Sequence, residues 1–264
     1  VSLYDDVVIR KLRHVGADRK IPAPSTKVYC DHPLAPGGDQ NLAHRADRLI
    51  LAKARSNQSI EIRSHKRIPV GAGLGGGSTD AAATLVGLNR LLKLGFSLRQ
   101  LERLGLELGA DVPFFIRGRP ARARGIGERL QPLDRMARQW LVIIYPGFPV
   151  ATSWVYRNLS AKLTKPIVNT SITSSLTGTG NLPEMLVNDL ENVTLGRYRK
   201  IGLLKRKLLR VGARGSLMSG SGSSVFGLFD SRRKAQQAFR QLRQGGEFQA
   251  DLVHVLNRRF IEKA

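Results

Sequence analysis

The most informative stretch of the sequence is Ile68-Pro69-Val70-Gly71-Ala72-Gly73-Leu74-Gly75-Gly76-Gly77-Ser78-Thr79-Asp80. Five of the seven residues from Gly71 to Gly77 are glycine, which lets the backbone turn freely and bring its N–H groups close to an anion. The loop runs into residues that favour a helix start, and the free N–H groups of a helix N-terminus attract phosphate. A flexible surface linker is the alternative, but a linker rarely ends in a strong helix start. We therefore predict a phosphate-binding loop.

Several known phosphate-binding patterns fit this loop poorly. Gly71, Gly73 and Gly76 satisfy G-x-G-x-x-G, but a dinucleotide-binding fold also needs a buried strand before the loop and an acid about 20 residues later. The preceding residues 64–67 are polar, and residues 89–100 contain no acid. A Walker P-loop needs Gly-Lys-Ser/Thr, and no lysine stands between Gly77 and Ser78. Protein-kinase signatures are absent as well.

Two further motifs come after the loop in order: Leu108-Gly109-Ala110-Asp111-Val112-Pro113-Phe114-Phe115 and Met218-Ser219-Gly220-Ser221-Gly222-Ser223-Ser224-Val225-Phe226. Together with the stretch from Pro69 to Ser78, they resemble the motifs of the GHMP small-molecule kinases. Within that superfamily the chain is most similar to the branch that acts on 4-diphosphocytidyl-2-C-methyl-D-erythritol. That similarity rests on the long glycine run, the second motif, Asn41-Leu42, Arg45-Ala46 and Ala123-Arg124-Gly125-Ile126-Gly127-Glu128. The resemblance covers nearly the whole chain.

The resemblance implies an α+β fold of two lobes with the active site between them. Residues 1–132 are expected to form an ATP-binding lobe similar to domain 2 of ribosomal protein S5, and residues 133–264 a ferredoxin-like lobe. The implied reaction is ATP-dependent phosphorylation of the 2-hydroxyl group of the methylerythritol unit, in non-mevalonate isoprenoid (terpene) biosynthesis. ATP is the expected cofactor, with Mg²⁺ carried by it, and no metal site built by the protein is predicted.

The resemblance also assigns roles to individual residues. Asp111 resembles the family's catalytic aspartate, a base that takes the proton of the acceptor hydroxyl group, although its local sequence alone favours a turn or cap. The expected ATP-binding residues are Asn41, Lys66, Gly71, Ala72, Gly73, Leu74, Gly75, Gly76, Gly77, Ser78 and Thr79. The expected substrate-binding residues are Thr152, Tyr156, Ser219, Gly220, Ser221 and Gly222.

Each of these assignments has a structural alternative. Asn41 is either a contact for the adenine end of ATP or a helix-start residue, and Lys66 is either such a contact or a solvated lysine. The hydroxyls of Ser78–Thr79 contact a metal or phosphate oxygen, cap the helix, or do both. Tyr156 lies either near the cytosine ring or in the core. The segment 219–222 closes over the substrate, supports the phosphate loop, or is a glycine-rich turn at a lobe interface.

The beginning of the sequence departs from the family pattern. Family members carry a Lys-Ile-Asn-Leu segment, which supplies a lysine beside the catalytic aspartate, and a Gly-Tyr-His segment, which recognises cytidine. The stretch from Val1 to Asp6 resembles the family residues that lie just after both segments, and neither segment occurs elsewhere in the chain. We therefore expect a truncated chain that is poorly active or inactive, with an exposed sheet edge in its first lobe.

The net charge raises a different function class. The 264-residue chain carries a formal charge of +23, which suits an anionic partner such as nucleic acid. The charge is spread, because residues 1–129 carry 22 basic and 12 acidic side chains and residues 130–264 carry 21 and 8. No basic block has interleaved aromatic residues, so we do not expect nucleic acid as a partner. The open alternatives are another GHMP small-molecule kinase, a basic nucleic-acid-binding protein and an inactive truncated kinase.

Composition also indicates the compartment. A single cysteine, Cys30, excludes an internal disulfide and favours a reducing, cytoplasmic environment. The longest apolar runs are far shorter than the roughly 20 residues that span a bilayer, so no membrane association is predicted. We expect small nucleotides as partners and a monomer or a homodimer.

Residue periodicity predicts the secondary structure. The predicted strands are residues 6–12, 59–63, 140–145, 224–229 and 251–256. The predicted helices are residues 41–54, 78–92, 98–108, 153–159, 185–192, 199–211 and 231–243. Residues 22–38 are predicted to be rich in turns, 110–124 to form a loop or strand, and 164–180 to form a connector.

Overall fold

The structure, a computed structural model, describes residues 1–12, 26–133, 136, 138–159 and 186–256. The chain divides into two compact units. The first unit contains the described residues of Tyr4–Val70 and Gly75–Leu133, and the second contains Val1–Leu3, Gly71–Leu74 and the described residues of Asp134–Asn257. Each unit mixes helices and strands, which confirms the predicted α+β class. The predicted connector, residues 164–180, lies outside the described residues.

The first unit contains a three-stranded sheet in the order β1-β3-β2. Its strands are β1 (Asp6–Lys11), β2 (Thr26–Cys30) and β3 (Ile60–His65), and β3 pairs antiparallel with β1 and parallel with β2. Ile60 and Ile62 are fully buried on one face, as a side-chain period of two requires. Strands β1 and β3 confirm two predictions. Strand β2 lies within the stretch predicted as turns. It was not predicted because the flanking prolines and glycines mask its short Thr-x-Val pattern.

Four helices complete the core of the first unit: α1 (Leu42–Lys53), α2 (Gly76–Leu91), α3 (Leu98–Leu108) and α4 (Val112–Arg117). Buried side chains of α1 and α2, such as Ile50 and Leu85, share one apolar cluster with the β3 isoleucines. The predicted capping box of α3 is present, because Ser97 and Gln100 each bond the other's backbone N–H group.

Two predictions in the first unit are wrong in detail. Helix α2 begins at Gly76 instead of Ser78, because Gly75 adopts a left-handed conformation (φ 72°) just before it. Residues 110–124, predicted as a loop or strand, contain helix α4 in their first part, and only residues 121–124 form a strand. A proline in the first turn of a helix loses no hydrogen bond, so Pro113 is compatible with α4, and Gly118 ends the helix in a left-handed conformation. A hairpin of β4 (Ala121–Arg124) and β5 (Arg129–Pro132) comes next.

The second unit is built on a four-stranded antiparallel sheet in the order β7-β8-β6-β9. Its strands are β6 (Trp140–Tyr145), β7 (Gly215–Met218), β8 (Val225–Phe229) and β9 (Gln249–His254). Its described helices are α5 (Thr152–Arg157), α6 (Glu191–Arg197), α7 (Arg199–Arg210) and α8 (Arg232–Arg243). Strand β6 has its predicted bounds, and β7 was not predicted.

The helices of the second unit explain where much of the charge lies. Helix α7 buries Ile201, Leu204 and Leu208, while its basic residues lie on its other faces. The helix predicted over residues 185–192 is wrong for residues 186–190, because Asn188 accepts a hydrogen bond from Leu190 N–H and α6 starts only at Glu191. Among all described helices, none has both the length and the apolar character needed to cross a bilayer.

Two adjacent leucines of α7 provide a test of this packing. Leu208 is fully buried whereas Leu209 is 47% exposed. We expect Leu208→Ala to lower the free energy of unfolding by about 2–5 kcal/mol, because it leaves a cavity in the core of the second unit. Leu209→Ala is the matched control and is expected to change it by less than about 0.5 kcal/mol. Urea unfolding measures both, and equal losses would contradict the assigned burial.

Candidate active site

The glycine loop, Gly71–Gly77, is shared between the two units. Its entry half, Gly71–Leu74, belongs to the second unit, and its exit half begins at Gly75 in the first unit. The other predicted site residues divide in the same way. The first unit holds Asn41, Lys66, Ser78, Thr79 and Asp111, and the second holds Thr152, Tyr156, Ser219, Gly220, Ser221 and Gly222. Each group is therefore described within its own unit.

The entry half of the glycine loop is held by a serine–glycine turn, Ser219–Ser224. Ser219 Oγ donates to Gly73 O at 2.8 Å, and Ser224 N–H donates to Ala72 O at 3.0 Å. Gly73 has φ +75°, and a Cβ atom placed on it would lie 2.2 Å from Ser219 O. Only glycine allows this approach, so the turn supports the loop as the sequence suggested.

The predicted substrate residues of helix α5 lie beside the same turn. Thr152 Oγ1 and Ser221 Oγ are 2.9 Å apart and share a hydrogen bond, so these two predicted residues are brought together. Tyr156, one helical turn beyond Thr152, is 59% exposed. This exposure contradicts the alternative that Tyr156 is a core aromatic. Its contact with a cytosine ring stays a prediction.

The exit half of the glycine loop forms the start of α2. Gly75 is the N-cap residue, and a Cβ atom on it would lie 2.7 Å from Phe115 Cζ. Thr79 N–H makes the first bond to Gly75 O, at 2.9 Å, so the N–H groups of Gly76, Gly77 and Ser78 have no acceptor within the helix. These N–H groups, together with the helix dipole, suit an anion.

The hydroxyls of Ser78 and Thr79 differ in what they contact. Thr79 Oγ1 donates to Gly75 O at 2.9 Å, so this hydroxyl bonds back to the carbonyl group four residues earlier and leaves the free N–H groups of the helix start unchanged. The Ser78 side chain is partly buried in the first turn of the helix. Among the described residues, neither hydroxyl accepts from a free N–H group at the start of α2, so the capping alternative is not confirmed, and a ligand contact stays a prediction for both.

Asp111 lies directly before α4 and is exposed. Among the described residues, none forms an ion pair or hydrogen bond with its carboxylate. Phe115, one turn further along, contacts Gly75, so α4 connects Asp111 to the exit half of the loop within the first unit. An unpaired carboxylate is free to accept a proton from a substrate hydroxyl group.

Asn41 starts α1, as its structural alternative predicted. Its Oδ1 accepts from Ala43 N–H at 2.9 Å and its Nδ2 donates to Pro36 O at 3.0 Å. These bonds fix the side chain at the N-terminus of α1. A contact with ATP stays a prediction for this residue.

Lys66 forms a buried charge triad with Asp5 and Asp80. The exposed fractions of the three side chains are 5%, 1% and 10%, and Lys66 Nζ binds Asp5 Oδ2 and, at 2.8 Å, Asp80 Oδ2. The alternative of a solvated lysine is therefore wrong. Asp5 Oδ1 also accepts from the N–H groups of Arg67 and Ile68, at 2.7 and 2.8 Å. The triad thus ties the chain that enters the glycine loop to the helix that leaves it.

Burial and charge pairing act in opposite directions on the pKa of Asp80 and on that of Lys66. It raises the pKa of Asp80 to about 6, against the opposite effect of Lys66, while Asp5 adds a smaller upward shift. Burial alone would lower the pKa of Lys66, but Asp80 and Asp5 outweigh it and the pKa is raised. Asp80 Oδ1 has no hydrogen-bond partner among the described residues. At neutral pH the ionised form of Asp80 therefore lowers the stability of the folded state.

Comparison of the sequence with known proteins identifies the family. The sequence matches the GHMP kinases N terminal domain over residues 41–119 and the GHMP kinases C terminal domain over residues 179–247. It is 49% identical to the 4-diphosphocytidyl-2-C-methyl-D-erythritol kinase of Citrifermentans bemidjiense, over 82% of this chain and 76% of that protein. The chain belongs to the GHMP kinase family. Members of this family are ATP-dependent phosphotransferases, so the chain is a small-molecule kinase.

Other GHMP kinases show the same relationship. The 4-diphosphocytidyl-2-C-methyl-D-erythritol kinase of Syntrophotalea carbinolica is 43% identical over 97% of this chain and 88% of its own. A crystal structure of 4-(cytidine 5'-diphospho)-2C-methyl-D-erythritol kinase has a TM-score of 0.76 and 35% identity, covering 95% of this chain and 85% of that chain. Homoserine kinase from Cytophaga hutchinsonii, with a TM-score of 0.69 and 19% identity over 97% of this chain and 86% of that chain, shares the fold.

Sequence reasoning missed five residues that shape the site of this kinase. They are Asp5, Asp80, Asn188, Glu191 and Thr194. The last three bond to the serine–glycine turn or to Met218 directly before it. An Asn-Asp-Leu-Glu run, residues 188–191, was a usable signal for a capped turn. Asp5 gave none, because its partners lie about sixty positions away.

The close approach at Gly73 predicts the effect of a single methyl group. We expect Gly73→Ala to displace the serine–glycine turn and to lower kcat/KM for ATP by roughly 10²-fold, as a misplacement of about 1 Å does. Gly95→Ala is the matched control, because Gly95 has a similar φ of +78° but open space around it. The control is expected to lose stability only. If Gly73→Ala and Gly95→Ala lowered kcat/KM equally, backbone strain would be responsible, and not the contact between Gly73 and the serine–glycine turn.

The triad predicts an unusual dependence of stability on pH. Because the folded pKa of Asp80 lies near 6, above its ordinary value of 3.8, the fold binds an extra proton between these values. Asp80 therefore contributes stability that is fully present below about pH 4 and is lost as pH rises through about 6. We expect Asp80→Asn to remove this dependence of stability on pH. The difference in unfolding free energy between the wild type and the variant should therefore change between about pH 4 and pH 6. A constant difference would contradict the shifted pKa.

Proposed function

We propose that this GHMP kinase transfers the γ-phosphoryl group of ATP to the 2-hydroxyl group of 4-diphosphocytidyl-2-C-methyl-D-erythritol. The observation that carries the proposal is the 49% identity, over 82% of the chain, to a kinase named for that substrate. The ordered glycine loop, aspartate motif and serine–glycine turn support it. Structural likeness to homoserine kinase at 19% identity concerns the fold alone.

Asp111 is proposed as the base of the transfer. Its carboxylate takes the proton of the acceptor hydroxyl group as the oxygen–phosphorus bond forms and the bond to the ADP leaving group breaks. Its exposure and its freedom from ion pairs with the described residues leave it available for this role. Phosphoryl transfer depends mainly on positioning and on neutralising charge, so the remaining work falls on the glycine loop.

The glycine loop is proposed to hold the phosphates of ATP. The unpaired N–H groups of Gly76, Gly77 and Ser78 supply donors and the α2 dipole supplies a positive potential. A Mg²⁺ ion that arrives with ATP keeps several waters and takes few protein ligands. The Ser78 hydroxyl, a hard oxygen donor, suits it, and the Thr79 hydroxyl, which donates its proton to Gly75 O, still has lone pairs for the same role. When bound, the ion neutralises charge on the β- and γ-phosphates.

The cytidine end of the acceptor is proposed to bind beside helix α5. Tyr156 presents an exposed ring that can stack on a base, and Thr152 with Ser219–Gly222 offers hydroxyl and backbone groups. Asn41 and Lys66 are proposed near the adenine end of ATP, where Lys66 would act through its place in the triad. We further propose lobes of residues 1–132 and 133–264, a monomer or homodimer, and a cytoplasmic location that suits the free Cys30.

An acceptor panel tests the proposal. ADP release is measured with 4-diphosphocytidyl-2-C-methyl-D-erythritol, homoserine and mevalonate, using the wild type and Asp111→Asn. We expect whatever turnover this chain supports, even if low, to occur with the first acceptor only, and the kcat of the variant to be about 10²–10⁴-fold lower still, because the base is lost. Glu107→Gln, at an exposed acid, is the matched control and is expected to keep the wild-type rate.

Two outcomes would overturn parts of this proposal. Preference for homoserine or mevalonate would assign the chain to another branch of the GHMP kinases. A full rate for Asp111→Asn would remove Asp111 as the base. Because Asp111 is exposed and has no partner among the described residues, the variant is expected to unfold at the same urea concentration as the wild type, which separates a catalytic loss from a folding defect.

A further inference from the structure

The serine–glycine turn is itself held by a segment that no motif indicated. This support segment, residues 188–194, comprises Asn188, a short turn and the first residues of α6. Asn188 Nδ2 donates to Met218 O at 2.9 Å and to Gly220 O at 2.8 Å. Its Oδ1 accepts from Leu190 N–H at 3.0 Å, which fixes the orientation of the amide. One side chain thus bonds to two carbonyl groups, one directly before the turn and one inside it.

Two further side chains of the support segment bond to the same backbone. Glu191 Oε1 accepts from Met218 N–H at 2.7 Å, and both carboxylate oxygens accept from Lys205 Nζ, at 2.7 and 2.6 Å. Thr194, fully buried, donates from Oγ1 to Ser221 O at 3.2 Å. The bonds from Glu191 are charge-assisted and therefore strong, and its side chain is only 15% exposed.

Pairing in the sheet does not by itself fix the turn. The β7–β8 ladder ends at the pair Met218 and Val225, so the six residues between them lie beyond it. Gly220 and Gly222 have φ of +53° and +91°, conformations that glycine adopts at the expense of backbone entropy. Two backbone bonds within the turn, Ser219 N–H to Ser224 O and Gly222 N–H to Ser219 O, close it at its base. The side-chain bonds to Met218, Gly220 and Ser221 add to these in holding one conformation of the segment. The same conformation brings Ser219 Oγ and Ser224 N–H to the entry half of the glycine loop.

We propose that Asn188 and Glu191 are positioning residues for ATP, which hold the serine–glycine turn and through it the entry half of the glycine loop. This inference rests on the proposed function, since it assumes that the glycine loop binds the phosphates. The contacts run in two steps, from the support segment to the turn and from the turn to Ala72 and Gly73. All of them lie within the second unit.

A matched pair of asparagines tests the role of Asn188. The dissociation constant for Mg·ATP is measured by calorimetry without an acceptor, and the free energy of unfolding by urea, for Asn188→Ala and for Asn192→Ala. Asn192 is exposed on α6, one turn from Asn188. We expect Asn188→Ala to weaken ATP binding by about 10- to 100-fold, because two carbonyl groups lose their donor. The control is expected to bind ATP as the wild type does.

A second pair guards against a variant that does not fold. Glu191→Gln keeps an acceptor for Met218 N–H, whereas Glu191→Ala removes it. We expect Glu191→Gln to retain most of the ATP affinity and Glu191→Ala to lose about tenfold or more. Rescue by glutamine indicates that the bond to the turn, and not only the ion pair with Lys205, sets the affinity.

A purely structural role gives a different result. Asn188→Ala and Glu191→Ala would then lower the unfolding free energy, while the folded protein bound ATP with the wild-type dissociation constant, and this outcome would overturn the inference. The acceptor plays no part in the measurement. If the acceptor panel fails, this test is therefore still valid. If the wild type binds ATP and both alanine variants bind it equally well, the inference is refuted and the proposed function is not.

Discussion

Hydrogen bonds from the serine–glycine turn to two carbonyl groups of the glycine loop are the interaction on which the candidate site depends. The carbonyl groups of Ala72 and Gly73 accept from Ser224 and Ser219, across 146 positions in the second case. The contact is close on both sides, because a Cβ atom on Gly220 would lie 3.0 Å from Gly73 O. The entry half of the first motif and the third motif of this GHMP kinase are thus held together within the second unit. The entry half of the loop uses its carbonyl groups for support, and the exit half leaves its N–H groups for an anion.

Features that depend on near neighbours in the chain were predictable from the sequence. The capping box at Ser97, the period of α7 and the strand Trp140–Tyr145 each arise from residues within one or two turns. Strands β2 and β7 were missed because four or five residues carry too little of a pattern. Helix α4 was missed because Pro113 reads as a helix breaker, although in the first helical turn it removes no hydrogen bond.

The candidate site was predictable only in part, for the same reason. The glycine loop and Asp111 stand in local motifs, so the sequence indicated them. The burial of Lys66 depends on Asp5 and Asp80, which lie 61 and 14 positions away, and a lysine in a polar stretch gives no sign of such partners. Similarly, Asn188 meets the serine–glycine turn some thirty residues later. Net charge was also a poor guide to the local charge at the site. The chain carries +23 overall, yet two aspartates surround one lysine beside the glycine loop.

The composition of the second unit has a consequence for synthesis of the chain. Val1–Leu3 and Gly71–Leu74 belong to a unit whose other described residues all come later than residue 133. Ser2 exchanges hydrogen bonds with His254, near the end of the described chain. A protein that emerges from the ribosome with its N-terminus first therefore exposes these two early pieces before their partners exist. The entry half of the glycine loop acquires its shape only after Ser224 has been made, so this part of the candidate site forms late in folding.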